Sequence, residues 1–190
     1  MKKQNNKKYK LPEEVILSGG NFATVCFLGA IQALIDNNKF DLTKVKKWIC
    51  TSGGSVIALF LAIGYTPKRL LSILKRIPIS KISPLNSDKW LGFFDKYGIH
   101  DTEKFKWLFS LLMENICWSP NTTFKELYDK IKVELVFTSY CLNTQSVVLL
   151  NYKNNPDLKI LDAICMSIAV PFLFYPVKYK NEHYIDAFLV

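Results

Sequence analysis

Histidine is nearly missing from this chain: His100 and His183 are the only two in 190 residues. Histidine is the commonest general base in enzymes, so proton-transfer chemistry here rests on those two rings or on carboxylates. Paired metal ligands are lacking as well. The five cysteines (Cys26, Cys50, Cys117, Cys141 and Cys165) are odd in number and widely spaced, with no C-x-x-C and no histidine pair beside them. That pattern speaks against a structural metal or a disulfide framework, and for reduced, buried thiols in a cytoplasmic protein. There is no Walker-type phosphate loop with its lysine, no complete G-x-G-x-x-G and no aromatic-studded basic strand of an RNA-binding module. No cofactor, metal or nucleic-acid partner is expected.

Acidic residues are also in short supply, with 16 Asp and Glu against 25 Lys and Arg and a formal charge of +9. The first ten residues, "MKKQNNKKYK", hold five lysines and no acid. Residues 1–12 read as a solvated basic tail, and each lysine near an anionic membrane contributes about 1 kcal/mol of attraction. Peripheral contact with a membrane surface is therefore expected. No apolar core follows the lysines, and Lys2 stands where myristoylation needs glycine, so neither a signal peptide nor that anchor fits. Two uncharged windows, Val15 to Ile35 and Trp48 to Pro67, are each about as long as the roughly 20 residues that cross a bilayer. Each is broken near its start by a glycine pair, which divides it into a short strand and a buried helix.

Residues 13–190 read as one domain. A strand at Val15 to Ser18, a turn at Gly19 and Gly20 and an apolar helix from Phe22 to Asp36 form a first unit. Lys46 to Cys50, the turn Thr51 to Gly54 and a helix from Ser55 to Ile63 form a second. Strand and helix alternating in this way imply a parallel sheet with helices on its faces, hence an α/β class. Thr66 and Pro67 read as N-cap and first residue of a further helix. A segment rich in Ile, Pro, Ser and Asn follows, with Trp90, Phe93 and Phe94, and reads as a flap. Phe105, Leu108, Phe109 and Leu112 make a core stripe on a helix from Thr102 to Ile116. Thr123 and Glu126 form a capping box. Val133 to Cys141 and Ser146 to Tyr152 read as strands buried on both faces, Leu158 to Ser167 as a helix, and "PVKYKNEHYID" as a hairpin.

The chemistry centres on "WICTSGGSVIAL". A nucleophilic serine needs a base, and it needs its Oγ projected from a sharp strand-to-helix turn flanked by small residues. Ser52 sits in such a turn, with Cys50 and Gly54 at the flanking positions of the nucleophile elbow. The earlier turn, Gly19, Gly20 and Asn21, offers backbone N–H groups at a helix start, as an oxyanion requires. Both turns belong on the same edge of one parallel sheet. For the base, Asp101 or Asp162 with His183 satisfies the order serine, acid, histidine. The other arrangement is a carboxylate acting directly on Ser52, for which Asp186, ending the strand "HYID", is the candidate; burial would have to raise its basicity.

The segments "LSGGNFATVCFLGAIQAL", "WICTSGGSVIAL", "TFKELYDKIKVELVFTSYCLNTQSVVL" and "DAICMSIAVPFLFYPVKYKNEHYIDAF", in this order, resemble the patatin-like phospholipase family over nearly the whole chain from Val15. The resemblance implies a three-layer α/β/α fold with a mainly parallel central sheet. It also implies a Ser-Asp dyad hydrolysing acyl esters of phospholipids or neutral lipids, a glycine-rich oxyanion loop and no metal. By position, Ser52 matches the nucleophile, Asp186 the aspartate, Gly19 and Gly20 the first oxyanion glycines, and Ser167 to Pro176 the supporting "S-x-x-x-P-x-x-F-x-P". The chain departs from the family at Asn21, Ala23, Thr24, Cys50 and Ala187. Asp186 lies four residues from Val190, whereas family members normally continue well beyond this motif. That ending suits a C-terminally truncated domain. It also sets the alternative to catalysis, an inactive lipid-binding or interaction protein that keeps the fold.

Overall fold

In a computed structural model, residues 10–77 and 97–189 are described. The lysines before Lys10 and the expected flap with Trp90, Phe93 and Phe94 lie outside the described residues. A six-stranded sheet carries the fold. Its centre is parallel: β1 (Glu14–Leu17) pairs with β2 (Lys47–Thr51), and β2 with β3 (Glu134–Cys141). Antiparallel strands extend it, namely β4 (Ser146–Leu150) and the hairpin β5 (Val177–Tyr179) and β6 (Glu182–Ile185). The α/β class and the parallel core stand as expected.

β3 is the hub of the sheet, and its two edges are used differently. β4 runs along Phe137 to Cys141 on one edge. The opposite edge is shared, since β2 takes Glu134 to Thr138 while β6, coming from the other direction, takes Tyr140 and Cys141. β2 and β6 therefore approach head to head, and whatever follows each strand emerges at the same point. Ser139 marks the gap between them; its buried hydroxyl donates to Met166 O at 3.1 Å and Ile185 O at 2.8 Å.

The helices form where the sequence supplies caps and apolar stripes. α1 (Cys26–Asp36) follows β1, α2 (Gly53–Ala62) follows β2, and α3 (Pro67–Leu74) begins with Pro67 at its first position and the Thr66 hydroxyl accepting from Arg69 N–H at 3.2 Å. On α4 (Glu103–Glu114), Phe105, Phe109 and Leu112 are buried as the stripe predicts. On α5 (Phe124–Ile131) the Thr123–Glu126 capping box is closed in both directions. α6 (Ile160–Ile168) is buried along almost its whole length. No described helix is long and apolar enough to cross a membrane.

Register assigns the strand residues to faces. Leu17, Trp48, Cys50, Leu135, Phe137, Ser139 and Cys141 point to one side and are all buried. Against that side pack Phe124 of α5, its ring 5.5 Å from that of Phe137, and Met166 of α6. Two successive crossovers in the same direction, β1 to β2 and β2 to β3, place their helices on a common side by the right-handed rule. The other side is more open among the described residues: Ile16 is 75% exposed, and Val147 and Leu149 of β4 are about half exposed.

Several local expectations need correction. The segment after β1 does not enter an α-helix at Phe22; Asn21–Val25 forms a 3-10 turn first, and α1 starts at Cys26. β4 is not buried on both faces, because it pairs only with β3 among the described strands and its outward side chains meet solvent. It also stops at Leu150, where the Asn151 side chain accepts from the N–H groups of Lys153 and Asn154 and turns the chain. Cys50, Cys141 and Cys165 are buried, but Cys26 and Cys117 are exposed. Burial pushes the Cys50 and Cys165 thiols up to about 12, so neither is reactive.

Candidate active site

Ser52 occupies the single residue between β2 and α2. Its backbone takes φ 55° and ψ −132°, a conformation disfavoured for any side-chain-bearing residue and typical of strained turns that expose a nucleophile. Ordinary contacts hold the strain in place. Ser52 N–H donates to the Ser167 hydroxyl of α6 at 2.9 Å, and that hydroxyl is also 3.1 Å from the Ser55 hydroxyl, all three residues being buried. A Cβ on Gly54 would come within 2.7 Å of the carbonyl oxygens of both Leu17 and Ser18, and one on Gly53 within 2.5 Å of Thr24 Oγ1. The small residues thus let the start of α2 press against the end of β1. Cys50, by contrast, has room for its side chain on the covered face of the sheet opposite Leu17.

Asp186 follows β6 and is fully buried. Its N–H donates to Ala169 O at 2.9 Å, and its Oδ1 accepts from Phe188 N–H at 2.9 Å. Burial pushes its carboxyl above the ordinary aspartate value, while the neighbouring Ser52 hydroxyl and the Phe188 amide pull the other way. Oδ2 makes no hydrogen bond of standard geometry. The structure thus brings Ser52 and Asp186 together, and it leaves one buried carboxylate oxygen without a hydrogen-bond partner. Catalytic hydrogen bonds are often loose before substrate binds.

The alternative acids and base sit elsewhere. Asp162 is held by Lys106 at 2.7 Å on α6, Asp101 accepts from Glu103 N–H at 3.1 Å, and His183 is exposed in the β5–β6 hairpin. His100 is buried and bridges to Phe174. Among the described residues, no cluster of three His, Cys, Asp or Glu has the arrangement to hold a metal ion.

The turn after β1 lies beside Ser52. Gly19 and Gly20 lead to Asn21, which adopts φ 52°, a left-handed conformation that asparagine tolerates better than most residues. Among the described hydrogen bonds, the N–H groups of Gly19, Gly20 and Asn21 donate to nothing. Thr24 braces the turn: its buried hydroxyl donates to Asn21 O at 2.7 Å. Neither Thr24 nor Ser139 is marked by the sequence as part of the site. The one available signal is a small hydroxyl residue inside an otherwise apolar segment.

A cavity of about 350 Å³ opens onto Ser52. Asn21, Thr24 and Gly53 line its polar end, and Val56, Ile57, Leu74, Phe105, Leu108, Phe109, Ile168 and Phe174 make the rest apolar. Among the described residues that line it, Lys75 is the only charged one. The α4 stripe read from the sequence as core therefore faces both core and cavity, with Phe105 and Phe109 buried and also lining the cavity.

Comparison with known proteins agrees with this layout. The patatin-like phospholipase family profile matches residues 15–190. The chain is 32% identical over 184 residues to the probable lipid hydrolase 463L of Invertebrate iridescent virus 6, covering 94% of this chain and 60% of that protein. It is 27% identical to an uncharacterized protein of Acanthamoeba polyphaga mimivirus, covering 96% of this chain and 61% of that one. The chain thus spans about three fifths of the length of these curated relatives. In fold it resembles VipD from Legionella pneumophila, with a TM-score of 0.66 at 16% identity over 94% of this chain and 46% of VipD. It also resembles ExoU from Pseudomonas aeruginosa, solved in complex with SpcU, with a TM-score of 0.59 at 18% identity over 90% of this chain and 41% of ExoU.

Proposed function

Because the chain belongs to the patatin-like phospholipase family, we propose that it is a lipid acyl hydrolase working through a Ser52–Asp186 dyad. The observation that carries this reading is the strained, buried serine beside an aspartate whose carboxyl is raised by burial, at the head of an apolar cavity. Ser52 Oγ attacks the ester carbonyl carbon while its proton passes to Asp186 Oδ2. The N–H groups of Gly19, Gly20 and Asn21 hold the oxyanion, and removing one such donor typically costs about 10²–10³ in rate. The C–O bond to the alcohol then breaks, and Asp186 returns the proton to the departing alkoxide. Water, deprotonated by the same carboxylate, cleaves the acyl-enzyme and releases the fatty acid.

The substrate class is an acyl lipid. A cavity of about 350 Å³ falls within the roughly 300–1,000 Å³ usual for ligand pockets, and its apolar wall suits a hydrocarbon chain. Lys75 supplies attraction for an anionic head group. A fluorophosphonate probe tests the reading. Labelling at Ser52 that vanishes in Ser52→Ala supports the hydrolase, whereas folded protein that stays unlabelled is a lipid binder that retains the fold without the chemistry.

A further inference from the structure

We propose that Ser139 of β3 is a positioning residue for the hydrolysis, its hydroxyl fixing Asp186 and the brace behind Ser52 in one frame. This rests on the Ser52–Asp186 reading and adds a residue to it. Ser139 is fully buried, on the side of the sheet where Leu135, Phe137 and Cys141 of the same strand are buried as well. None of those three carries a hydroxyl, and a buried hydroxyl costs free energy unless it is bonded. Ser139 sits in the gap where β2 and β6 leave off, since Thr138 pairs with Thr51 and Tyr140 with Ile185. There its Oγ donates to Ile185 O at 2.8 Å and to Met166 O at 3.1 Å, two acceptors for one proton.

Those two acceptors tie the hydroxyl to the site. Ile185 O belongs to the peptide unit that leads into Asp186, and the N–H of the same unit donates to Ala169 O at 2.9 Å. With both polar ends of that peptide held, the direction in which the aspartate side chain leaves the backbone is fixed. Met166 O belongs to the peptide unit that leads into Ser167, whose hydroxyl accepts from Ser52 N–H at 2.9 Å. Carbonyls in the last turn of a helix lack partners within it. At the end of α6, Ser139 and the Asp186 N–H supply partners for two such groups, at Met166 and Ala169. β3 is anchored to the nucleophile turn on its other face too, where the hydroxyls of Thr138 and Thr51 lie 2.7 Å apart and Thr51 is the residue before Ser52. One small side chain therefore links the segment that carries the base to the segment that braces the nucleophile. Reacting groups keep a productive geometry when the residues behind them are themselves locked by hydrogen bonds.

Kinetics of the intact chain on a short water-soluble ester, together with fluorophosphonate labelling of Ser52, test the proposal. In Ser139→Ala, kcat and the labelling rate should fall by about 10- to 100-fold, because displaced reacting groups meet less often in the productive geometry, while KM stays within about twofold. Ser139→Thr keeps a hydroxyl and should recover most of kcat. Thr123→Ala removes the α5 cap and so destabilises the chain away from the site; it should lower the melting temperature yet keep kcat, which is how a merely structural Ser139 would behave. Should Ser139→Ala fail to fold, Ser139→Cys carries the test, since a thiol is a weak donor, with a smaller fall in kcat at constant KM. Wild-type kcat in the alanine or cysteine variant, or a folded Ser139→Thr as slow as Ser139→Ala, overturns the proposal. Failure of the hydrolase reading looks different: the wild type itself stays unlabelled, while hydrogen exchange at the Ser52 and Asp186 amides still quickens in Ser139→Ala and not in Thr123→Ala. Exchange at those two amides that is unchanged in Ser139→Ala overturns the proposal as well.

Discussion

Leaving β1, the chain passes through Gly19, Gly20 and Asn21 into a 3-10 turn before α1 begins; leaving β2, it reverses within one residue, Ser52, straight into α2. Both turns hold one non-glycine residue at positive φ, 52° at Asn21 and 55° at Ser52. They differ in how that residue is restrained. Ser52 is buried and bonded through its N–H to Ser167, while Gly54 packs against the end of β1 and Gly53 against Thr24 of the neighbouring turn. Asn21 is exposed, and its restraint among the described residues is the Thr24 hydroxyl on its carbonyl. On the proposed reading, the nucleophile, which has to be placed accurately, sits in the turn fixed from several sides, and the N–H donors, which need only be free and aimed, sit in the looser one.

The largest break in this comparison comes from Gly54→Ala. Its methyl would lie 2.7 Å from two carbonyl oxygens and 3.0 Å from Leu17 Cβ, and the backbone atoms there cannot move aside cheaply. A loss of about 3 kcal/mol is expected, read as a lowered midpoint in urea unfolding together with lost labelling of Ser52. Next is Ser167→Ala, which leaves the buried Ser52 N–H without an acceptor and the Ser55 hydroxyl without its partner. Here about 2 kcal/mol should be lost, and kcat should fall more than KM rises, because the nucleophile is misplaced rather than the cavity altered.

A third change acts through charge. The Asp186 carboxyl is raised above its ordinary value of 3.8 in the folded chain, with burial as the main cause. That group's folding contribution is therefore most favourable below the unfolded value and is lost as pH rises through the higher folded value. Asp186→Asn removes the burden of the charged form. Its melting temperature should exceed the wild type's at neutral pH, with the gap closing in acid, as differential scanning calorimetry across pH would read. The smallest effect belongs to the looser turn: Asn21→Gly relieves the positive φ at a point where the N–H is kept. Stability should rise by less than about 1 kcal/mol, with esterase activity nearly unchanged, in contrast to either substitution around Ser52.

What the sequence makes legible follows from local rules. Glycine pairs mark both turns, the α4 stripe and the Thr123–Glu126 box mark helices, and the strand-helix alternation identifies the parallel core. The 3-10 turn at Asn21–Val25 is hidden because five residues are too few to show a periodicity. The solvent exposure of β4 is hidden because a run of Val and Leu looks the same in an edge strand as in a central one. The meeting of Ser52 and Asp186 is nonlocal: it depends on β2 and β6 sharing one edge of β3 from opposite directions. No spacing in the chain encodes that: the residues alone leave Asp186 as one of two arrangements beside the His183 pairings, and the family resemblance selects it.

The pairing of Ser52 with Asp186 is tested most directly by the pH dependence of fluorophosphonate labelling in the wild type and in Asp186→Asn. The wild-type rate should fall as acid protonates a carboxyl that titrates above the ordinary aspartate value. The variant should label slowly at every pH, by about 10⁴-fold at neutral pH, while remaining folded. An Asp186→Asn chain that labels at the wild-type rate with the wild-type pH profile would mean that some other group activates the serine.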